Sequence, residues 1–397
     1  MSSLTLGYAE WIDPSKEPNE LIVPVVSAPR ADLPLRRDVV ILLDLAGIDP
    51  QNLLYIDDDV VVDRLLAPPV SGKEDPRTIT LTDHNRIRSS LRDLGPLVTE
   101  IVDHHEDSGH HPGVTVESGK RSIAFYGGKA TVASTCTLVT ELLLDDQTPG
   151  GSGNKIDGSL GLLLLGVILL DSVNMIPEAG KGTERDGRAI RALGERTDWA
   201  QISEVSPSIA DATVFDEIFP EGRARGPSPD ALFDLLSGAR NDPKFWAGLS
   251  TLDTLRIDYK RFEVPGSSKT SPIRAIGLSS VLTNTDSLLS KENFESELRG
   301  YESSCQVDLF GALTLEFLDG NLNRELLLSS PNIFVLEGVT NYLLSDEDAA
   351  FMQFNEREDL RTASTRVFRQ GNAKGSRKQV APLLQRAASS LNLMSGL

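Results

Sequence analysis

The strongest indication of the fold comes from the segment Ile101-Val102-Asp103-His104-His105-Glu106-Asp107. Two β-branched residues lead into an Asp-His-His triplet, a pattern typical of a buried parallel strand that ends in polar side chains. In open α/β sheets, ligands bind beyond the carboxyl ends of such strands. Imidazole and carboxylate groups placed there would suit a divalent cation such as Mn²⁺, Co²⁺ or Mg²⁺. Taken alone the triplet is a weak pattern, and a surface turn with solvated histidines explains it equally well.

Two further aspartates, Asp83 and Asp171, also stand where an apolar run stops. Asp83 follows the strand-like residues 78–82. Asp171 follows the apolar residues 162–170, and so long a run would bury its carboxylate unless a cation compensates. Each aspartate by itself is better interpreted as a helix N-cap or a turn residue. Together with Asp103, and with histidine directly after two of the three, they predict a clustered metal site.

The composition limits the possible partners of the chain. Its 397 residues contain 39 Lys and Arg against 58 Asp and Glu, a net charge of −19, which repels nucleic acid and anionic membranes. No apolar run is long enough to span a membrane, and the start shows no secretory signal. Cys136 and Cys305 are far apart, which predicts reduced thiols and a cytoplasmic location. An anionic substrate would therefore need metal ions or a local basic cluster.

The order of apolar patterns predicts two domains. Short strand-like runs alternate with helical periods over residues 1–200, which predicts an α/β domain with a mainly parallel sheet. Residues 201–229 are rich in Ser, Pro, Gly and charge, so we expect a linker there. Residues 230–397 predict a smaller α+β domain. Within it we expect helix over 231–262, strands or buried segments at 273–282, 307–317 and 332–336, and a closing helix over 382–391.

A basic cluster near the C-terminus stands out on so acidic a chain. Residues 374–378 have the sequence Lys-Gly-Ser-Arg-Lys, and Arg361, Arg366 and Arg369 precede them. A solvated loop is the common explanation of such clusters, whereas phosphate binding is the functional one. Lys260 is a further candidate, although its spacing favours a helix surface. Metals on one domain and cations on another would suit hydrolysis of phosphoanhydrides, because metals activate water and cations hold the leaving phosphate.

As a set, these motifs resemble the DHH phosphoesterases, in the exopolyphosphatase and Prune branch, whose second domain is of the DHHA2 type. The resemblance covers nearly the whole chain in the expected order. The matching segments are residues 22–26, 29–38, 82–85, 101–105, 134–139, 165–175, 180–186, 252–260, 276–281 and 376–384.

The resemblance implies a manganese-, cobalt- or magnesium-dependent phosphohydrolase acting on inorganic polyphosphate, pyrophosphate or short phosphoanhydrides. By motif, Asp83 would bridge two metals, and His104 and Asp171 would bind one of them. His105 would contact substrate phosphate at the catalytic centre. Asp103 would orient His104, as carboxylate partners of ligating imidazoles do.

The resemblance also implies where the substrate is held. Lys260, Arg377 and Lys378 would bind the distal phosphate from the second domain, and His84 would add a substrate contact from the first. We expect these cations to face the metal ligands across a gap between the domains. The sequence does not specify an oligomeric state.

The chain departs from the family pattern at its start. The family begins with a strand and an Asp-x-Asp motif that gives ligands to both metals, whereas residues 1–8 resemble the helix that follows that motif. We therefore expect weakened metal binding. The chain is either an incomplete version of an active hydrolase, the explanation we favour, or a metal-poor relative retained for binding. Under the first explanation it should have weak or no phosphatase activity, which the missing strand would restore.

Two other functions remain open. The first is a non-catalytic interaction protein built on the same two-domain scaffold. The second is a nucleotide or oligonucleotide phosphodiesterase, which the net charge of −19 disfavours. The sequence also lacks the alternation of aromatic and basic residues that is typical of base-stacking grooves.

Overall fold

The computed structural model describes residues 21–72, 74–145, 155–202, 212–318 and 321–394. The segment 1–8, compared above with a family helix, lies outside these residues. The chain forms two compact units, of which the first ends at Arg240 and the second begins at Asn241. None of the helices in the described ranges combines the length and the apolar character needed to cross a membrane.

The first unit combines short, mainly parallel strands with helices, as predicted. Its strands are β1 Val25–Val26, β2 Leu54–Tyr55, β3 Ile79–Thr82, β4 Val98–Asp103, β5 Arg121–Ile123, β6 Phe125–Tyr126, β7 Lys129–Ala130, β8 Ile156–Asp157 and β9 Thr197–Asp198. Its helices are α1 Arg37–Leu45, α2 Thr135–Leu144, α3 Gly158–Ser172, α4 Glu184–Arg196, α5 Ala212–Ile218 and α6 Pro229–Arg240. The strands β3, β4 and β5 form a parallel sheet, the pairs β1–β2 and β8–β9 are parallel, and β6–β7 is antiparallel.

The register of the three-stranded sheet places the predicted site residues at one edge. Thr82 of β3 pairs with Val102 of β4. Asp83 and Asp103 are the next residues on the two strands, so their side chains start from neighbouring positions at the carboxyl edge. The parallel arrangement inferred from the apolar runs before them is thus confirmed.

The apolar run before Asp171 is a helix that lies at the centre of the core. The buried face of α3 extends around nearly the whole helix, including Leu162 and Ile168. Asp157 begins it by accepting hydrogen bonds from the backbone N–H groups of Ser159 and Leu160. Asp171 therefore stands in the last turn of a buried helix.

The second unit is a six-stranded sheet with helices on both faces. Its strands are β10 Tyr259–Glu263, β11 Ala275–Val281, β12 Leu309–Leu318, β13 Asn321–Ser329, β14 Phe354–Glu356 and β15 Thr365–Gln370, in the order β10-β11-β12-β13-β15-β14. Its helices are α7 Pro243–Gly248, α8 Thr251–Arg256, α9 Thr285–Leu289, α10 Phe294–Cys305, α11 Ile333–Ser345 and α12 Arg377–Met394. The pair β11–β12 is parallel and the other pairs are antiparallel. The helices α11 and α12 pack on one face and the helices α7 to α10 on the other.

Three predictions for the second half differ from the structure. The helix predicted over 231–262 is wrong at its end, because residues 259–262 pair with β11 as strand β10. Residues 333–336 begin helix α11, whose N-terminus is capped by the side chain of Asn332. Residues 212–218 of the predicted linker are helical, and Leu232 and Leu236, placed in the second domain, pack in the core of the first unit.

Candidate metal and phosphate site

Asp83 occupies an unusual backbone conformation at the end of β3. Its φ of 66° lies in the left-handed region, which aspartate tolerates better than most residues. Its backbone N–H donates to Val102 O at 2.9 Å, and its Oδ1 accepts a hydrogen bond from Thr135 Oγ1 at 2.9 Å. The side chain remains 28% exposed, so it can reach a ligand.

The two histidines after β4 have different hydrogen-bond partners. His104 Nδ1 lies 3.3 Å from Val132 O, so Nδ1 carries the proton and Nε2 is the free nitrogen, 3.6 Å from Asp83 Oδ1. His105 Nδ1 lies 2.8 Å from Asp103 Oδ1. The expectation that Asp103 orients the ring of His104 is therefore wrong. Asp103 orients the ring of His105, and it touches His104 only through the backbone N–H, at 2.7 Å.

Asp103 is fully buried and ionised by its surroundings. Burial raises the pKa of Asp103. The hydrogen bonds and charge of His105, with the amide of Asn85, together lower it by more, so the pKa lies below its ordinary value. Asn85 Nδ2 donates to Asp103 Oδ2 at 2.6 Å. The carboxylate is thus a permanent acceptor that fixes the direction of the His105 ring.

Asp171 lies near Asp83 and His104 although it comes from a different element. Burial raises the pKa of Asp171 above its ordinary value, and the negative charge of Asp83 raises it further. A hydrogen bond from Ser134 and the charge of His104 act in the opposite direction. A buried carboxylate whose ionised form is disfavoured in this way fits a site that a cation completes.

The residues present fit a divalent cation. Asp83, His104 and His105 each offer one ligand atom, and these atoms lie within 4.8 Å of one another. Carboxylate and imidazole form a donor set that manganese, cobalt and magnesium accept. The sequence analysis assigned His105 to substrate phosphate, and its ring lies at this same centre. His84 lies beside the centre, with Nδ1 bound to Thr82 O at 2.9 Å, and burial lowers its pKa.

Two hydroxyl residues and one carbonyl that contact the centre were not assigned a site role from the sequence. They are Ser134, Thr135 and Val132. Ser134 caps α2 by accepting from Cys136 N at 3.2 Å. The signal available in the sequence was the Ser-Thr pair at the start of α2, but it gave no indication of the partners.

The basic residues of the second unit divide into two groups. Arg361 and Arg366 form ion pairs with Glu337, so they stabilise the fold and do not form the phosphate site considered above. The guanidinium of Arg377 donates to the backbone carbonyl of Asp258 (2.6 Å) and to the carboxylate of Asp258 (2.8 Å).

Lys260 lies on the same side of this unit as the start of α12. It pairs with Leu278 across β10 and β11, on the sheet face that α12 covers, and it is therefore not a helix-surface lysine. Lys378 is exposed in the first turn of α12. Because Asp258 is two residues before Lys260, its bond to Arg377 holds the start of α12 near the start of β10.

The chain is similar to known proteins in both sequence and fold. A family model described as the DHHA2 domain matches residues 243–387. Exopolyphosphatase PRUNE1 of Homo sapiens is 26% identical over 393 residues, covering 98% of this chain and 72% of the relative. The Bos taurus protein of the same name is 27% identical over 396 residues with the same coverage. A crystal structure from Methanococcus jannaschii, described as a family II inorganic pyrophosphatase, has the same fold. Its TM-score is 0.53 at 19% identity, and the match covers 92% of this chain and 91% of that chain.

The DHHA2 domain and the relatives named exopolyphosphatase support a hydrolase, and the fold with its Asp-His-His site resembles the two-domain DHH type. Over nearly its whole length, the chain is similar to the Prune-like branch of that family.

Proposed function

We propose that this chain hydrolyses phosphoanhydride bonds with divalent metal ions, and that its substrate is inorganic polyphosphate or pyrophosphate. The observation that carries the proposal is the convergence of Asp83, His104 and His105 within 4.8 Å, with Asp171 beside them. The relatives named exopolyphosphatase support the substrate class. Manganese is the metal we expect, with cobalt or magnesium as alternatives.

The residues of the chain provide binding and orientation in this proposal. Asp83, His104 and Asp171 would hold the metal, which when bound activates water and stabilises the charge of the attacked phosphoryl group. His104 presents Nε2 because Nδ1 donates to Val132 O. His105, held by Asp103, would donate from Nε2 to a substrate oxygen, since its Nδ1 is directed at the carboxylate. This arrangement requires the His105 imidazole to be protonated when it binds phosphate.

The second unit would bind the distal phosphates. Arg377 is directed by Asp258, and Lys378 is exposed in the first turn of α12, where the backbone N–H groups also favour an anion. Lys260 comes from the neighbouring strand on the same face of the sheet. In a chain of net charge −19, such a local group of cations would counteract repulsion of a polyanion.

A substrate panel with Mn²⁺ tests this function. We expect weak phosphate release from polyphosphate, tripolyphosphate or pyrophosphate, and a still lower rate on cyclic nucleotides. Calorimetric titration with Mn²⁺ should show uptake that Asp83→Asn abolishes. Asp157→Asn is the matched control, because Asp157 caps α3 at the end opposite Asp171 and asparagine caps helices equally well.

Three results would contradict the proposal. Faster cleavage of cyclic nucleotides would make the chain a phosphodiesterase. Mn²⁺ uptake without phosphate release from any substrate, or no uptake at all, would favour a non-catalytic interaction protein. Equal Mn²⁺ affinity in the wild type and Asp83→Asn would show that the ligand assignment is wrong.

A further inference from the structure

Three of the four residues 132–135 have contacts that fix the start of α2 and two side chains of the candidate metal centre. Val132 O accepts from His104 Nδ1 (3.3 Å), Ser134 caps α2 by accepting from Cys136 N (3.2 Å), and Thr135 Oγ1 donates to Asp83 Oδ1 (2.9 Å). The two site side chains come from the end of β4 and the end of β3. One short segment therefore joins α2 to two strand ends that lie earlier in the sequence.

The fourth residue of the segment is anchored to a buried carboxylate. Ala133 N–H donates to both oxygens of Asp186, at 3.0 and 2.9 Å. Asp186 is fully buried in the first turn of α4 and also accepts from Thr137 Oγ1 at 2.6 Å. Thr183 donates to it through its backbone N–H at 2.8 Å and its hydroxyl at 2.7 Å.

These contacts exceed what the two helices need for capping. The capping box of α4 is complete with Thr183 and Asp186 alone. The bonds from Ala133 and Thr137 to the same carboxylate instead connect α4 to the start of α2.

We propose that residues 132–135 form an orienting segment that sets the directions of Asp83 and His104, and that Asp186 is the positioning residue that holds this segment. The inference rests on the proposed function for the identity of the ligands. The hydrogen bonds themselves belong to the metal-free chain. Groups that direct metal ligands in this way change metal affinity by about 10- to 100-fold when they are removed.

The first test compares Thr135→Val with Thr135→Ser. Valine has the shape of threonine but cannot donate to Asp83, whereas serine keeps the hydroxyl. We expect Thr135→Val to weaken Mn²⁺ binding in calorimetry by about tenfold or more. Thr135→Ser should bind Mn²⁺ with an affinity within about threefold of the wild type. Asp157→Ala is the stability control: it removes the cap of α3, lowers the melting temperature and should leave Mn²⁺ affinity unchanged.

The second test uses Asp186→Asn and needs no metal. An asparagine cannot accept at both positions that face Ala133, so the segment should shift and Val132 O should release His104 Nδ1. The nitrogen-15 spectrum of the His104 side chain in metal-free protein should then change from a single Nδ1–H tautomer to a mixture. Thr140→Val is the matched control, because Thr140 is equally buried in α2 but bonds only to Cys136 O.

The results separate this inference from the proposed function. Unchanged Mn²⁺ affinity in Thr135→Val, or an unchanged His104 tautomer in folded Asp186→Asn, would overturn the orienting role. If Asp186→Asn does not fold, the two Thr135 variants decide. If the wild type takes up no Mn²⁺, the proposed function fails, and the tautomer of His104 in Thr135→Val and Asp186→Asn still tests the segment.

Discussion

Replacement of Asp103 by asparagine offers the sharpest test of how the site is built. Its carboxylate is fully buried, and every recorded partner is a donor. Oδ1 accepts from His104 N (2.7 Å), His105 N (3.1 Å) and His105 Nδ1 (2.8 Å), while Oδ2 accepts from Asn85 Nδ2 (2.6 Å). In Asp103→Asn the new amide nitrogen must therefore face a donor.

Asn85 cannot turn its amide to relieve that conflict. Its Oδ1 accepts from the backbone and the hydroxyl of Ser108, at 3.0 and 2.6 Å, and its Nδ2 also donates to Glu106 O at 3.0 Å. Two buried donors are left facing each other, and an unmet buried donor costs about 1–3 kcal/mol. We expect Asp103→Asn to lower the free energy of unfolding by about 3 kcal/mol, or the melting temperature by roughly 6–12 °C for a unit of this size.

The assay is thermal unfolding of the metal-free protein, with a compensating variant as control. Combining Asp103→Asn with Asn85→Asp restores a donor opposite an acceptor, although the new carboxylate then meets Glu106 O. We expect the pair to recover at least about 1 kcal/mol relative to the sum of the single variants. A loss below about 0.5 kcal/mol for Asp103→Asn, the range of ordinary surface substitutions, would refute this reasoning, and so would strict additivity.

Three further predictions test other parts of the molecule. The hydrogen bond from Arg77 lowers the pKa of Asp75 to about 2, so a carboxyl NMR titration should show this midpoint, and Arg77→Ala should return it towards about 3.9. The stabilisation by this pair should be complete above the ordinary carboxyl pKa and be lost as the pH falls through 2. In chemical denaturation, Gly194→Ala in α4 should stabilise the protein by about 0.5–1 kcal/mol, because the added Cβ has no atom within 4 Å. Gly161→Ala in α3 should destabilise it by about 1–3 kcal/mol, because the added Cβ would overlap the buried side chain of Thr197. Lys378→Ala should raise the KM for tripolyphosphate at an unchanged melting temperature, because Lys378 is exposed; an unchanged KM would remove it from the proposed phosphate site.

The edge of the sheet that carries the site could be predicted because its signals are local. The runs before Asp83 and Asp103 are apolar and short, and histidine follows each aspartate directly. Parallel pairing then aligns the two strand ends, as the pairing of Thr82 with Val102 shows. Neither step depends on distant parts of the chain, so the pattern was sufficient.

The elements of the second half were harder to predict because their context is tertiary. Residues 259–262 become a strand by pairing with β11, although their own sequence follows a helical region. Leu232 and Leu236 give α6 an apolar face, but only the assembled core determines that this face belongs to the first unit. The prediction of the ring partner of Asp103 was wrong for a related reason. Whether His104 or His105 contacts Asp103 depends on Val132 O, which belongs to a later segment of the chain.

The conformation of Asp83 shows why the aspartate–histidine motifs alone do not make the site. A non-glycine residue with φ of 66° is strained by roughly 1–2 kcal/mol, and an isolated strand end would relax towards the extended region. Here the backbone N–H is held by Val102 O of β4 and the carboxylate by Thr135 of α2. These two contacts, from different elements, hold the carboxylate 3.6 Å from His104 Nε2. The candidate metal centre is therefore a property of the assembled sheet and the segment 132–135. Any substitution that loosens either one should weaken metal binding without changing a ligand.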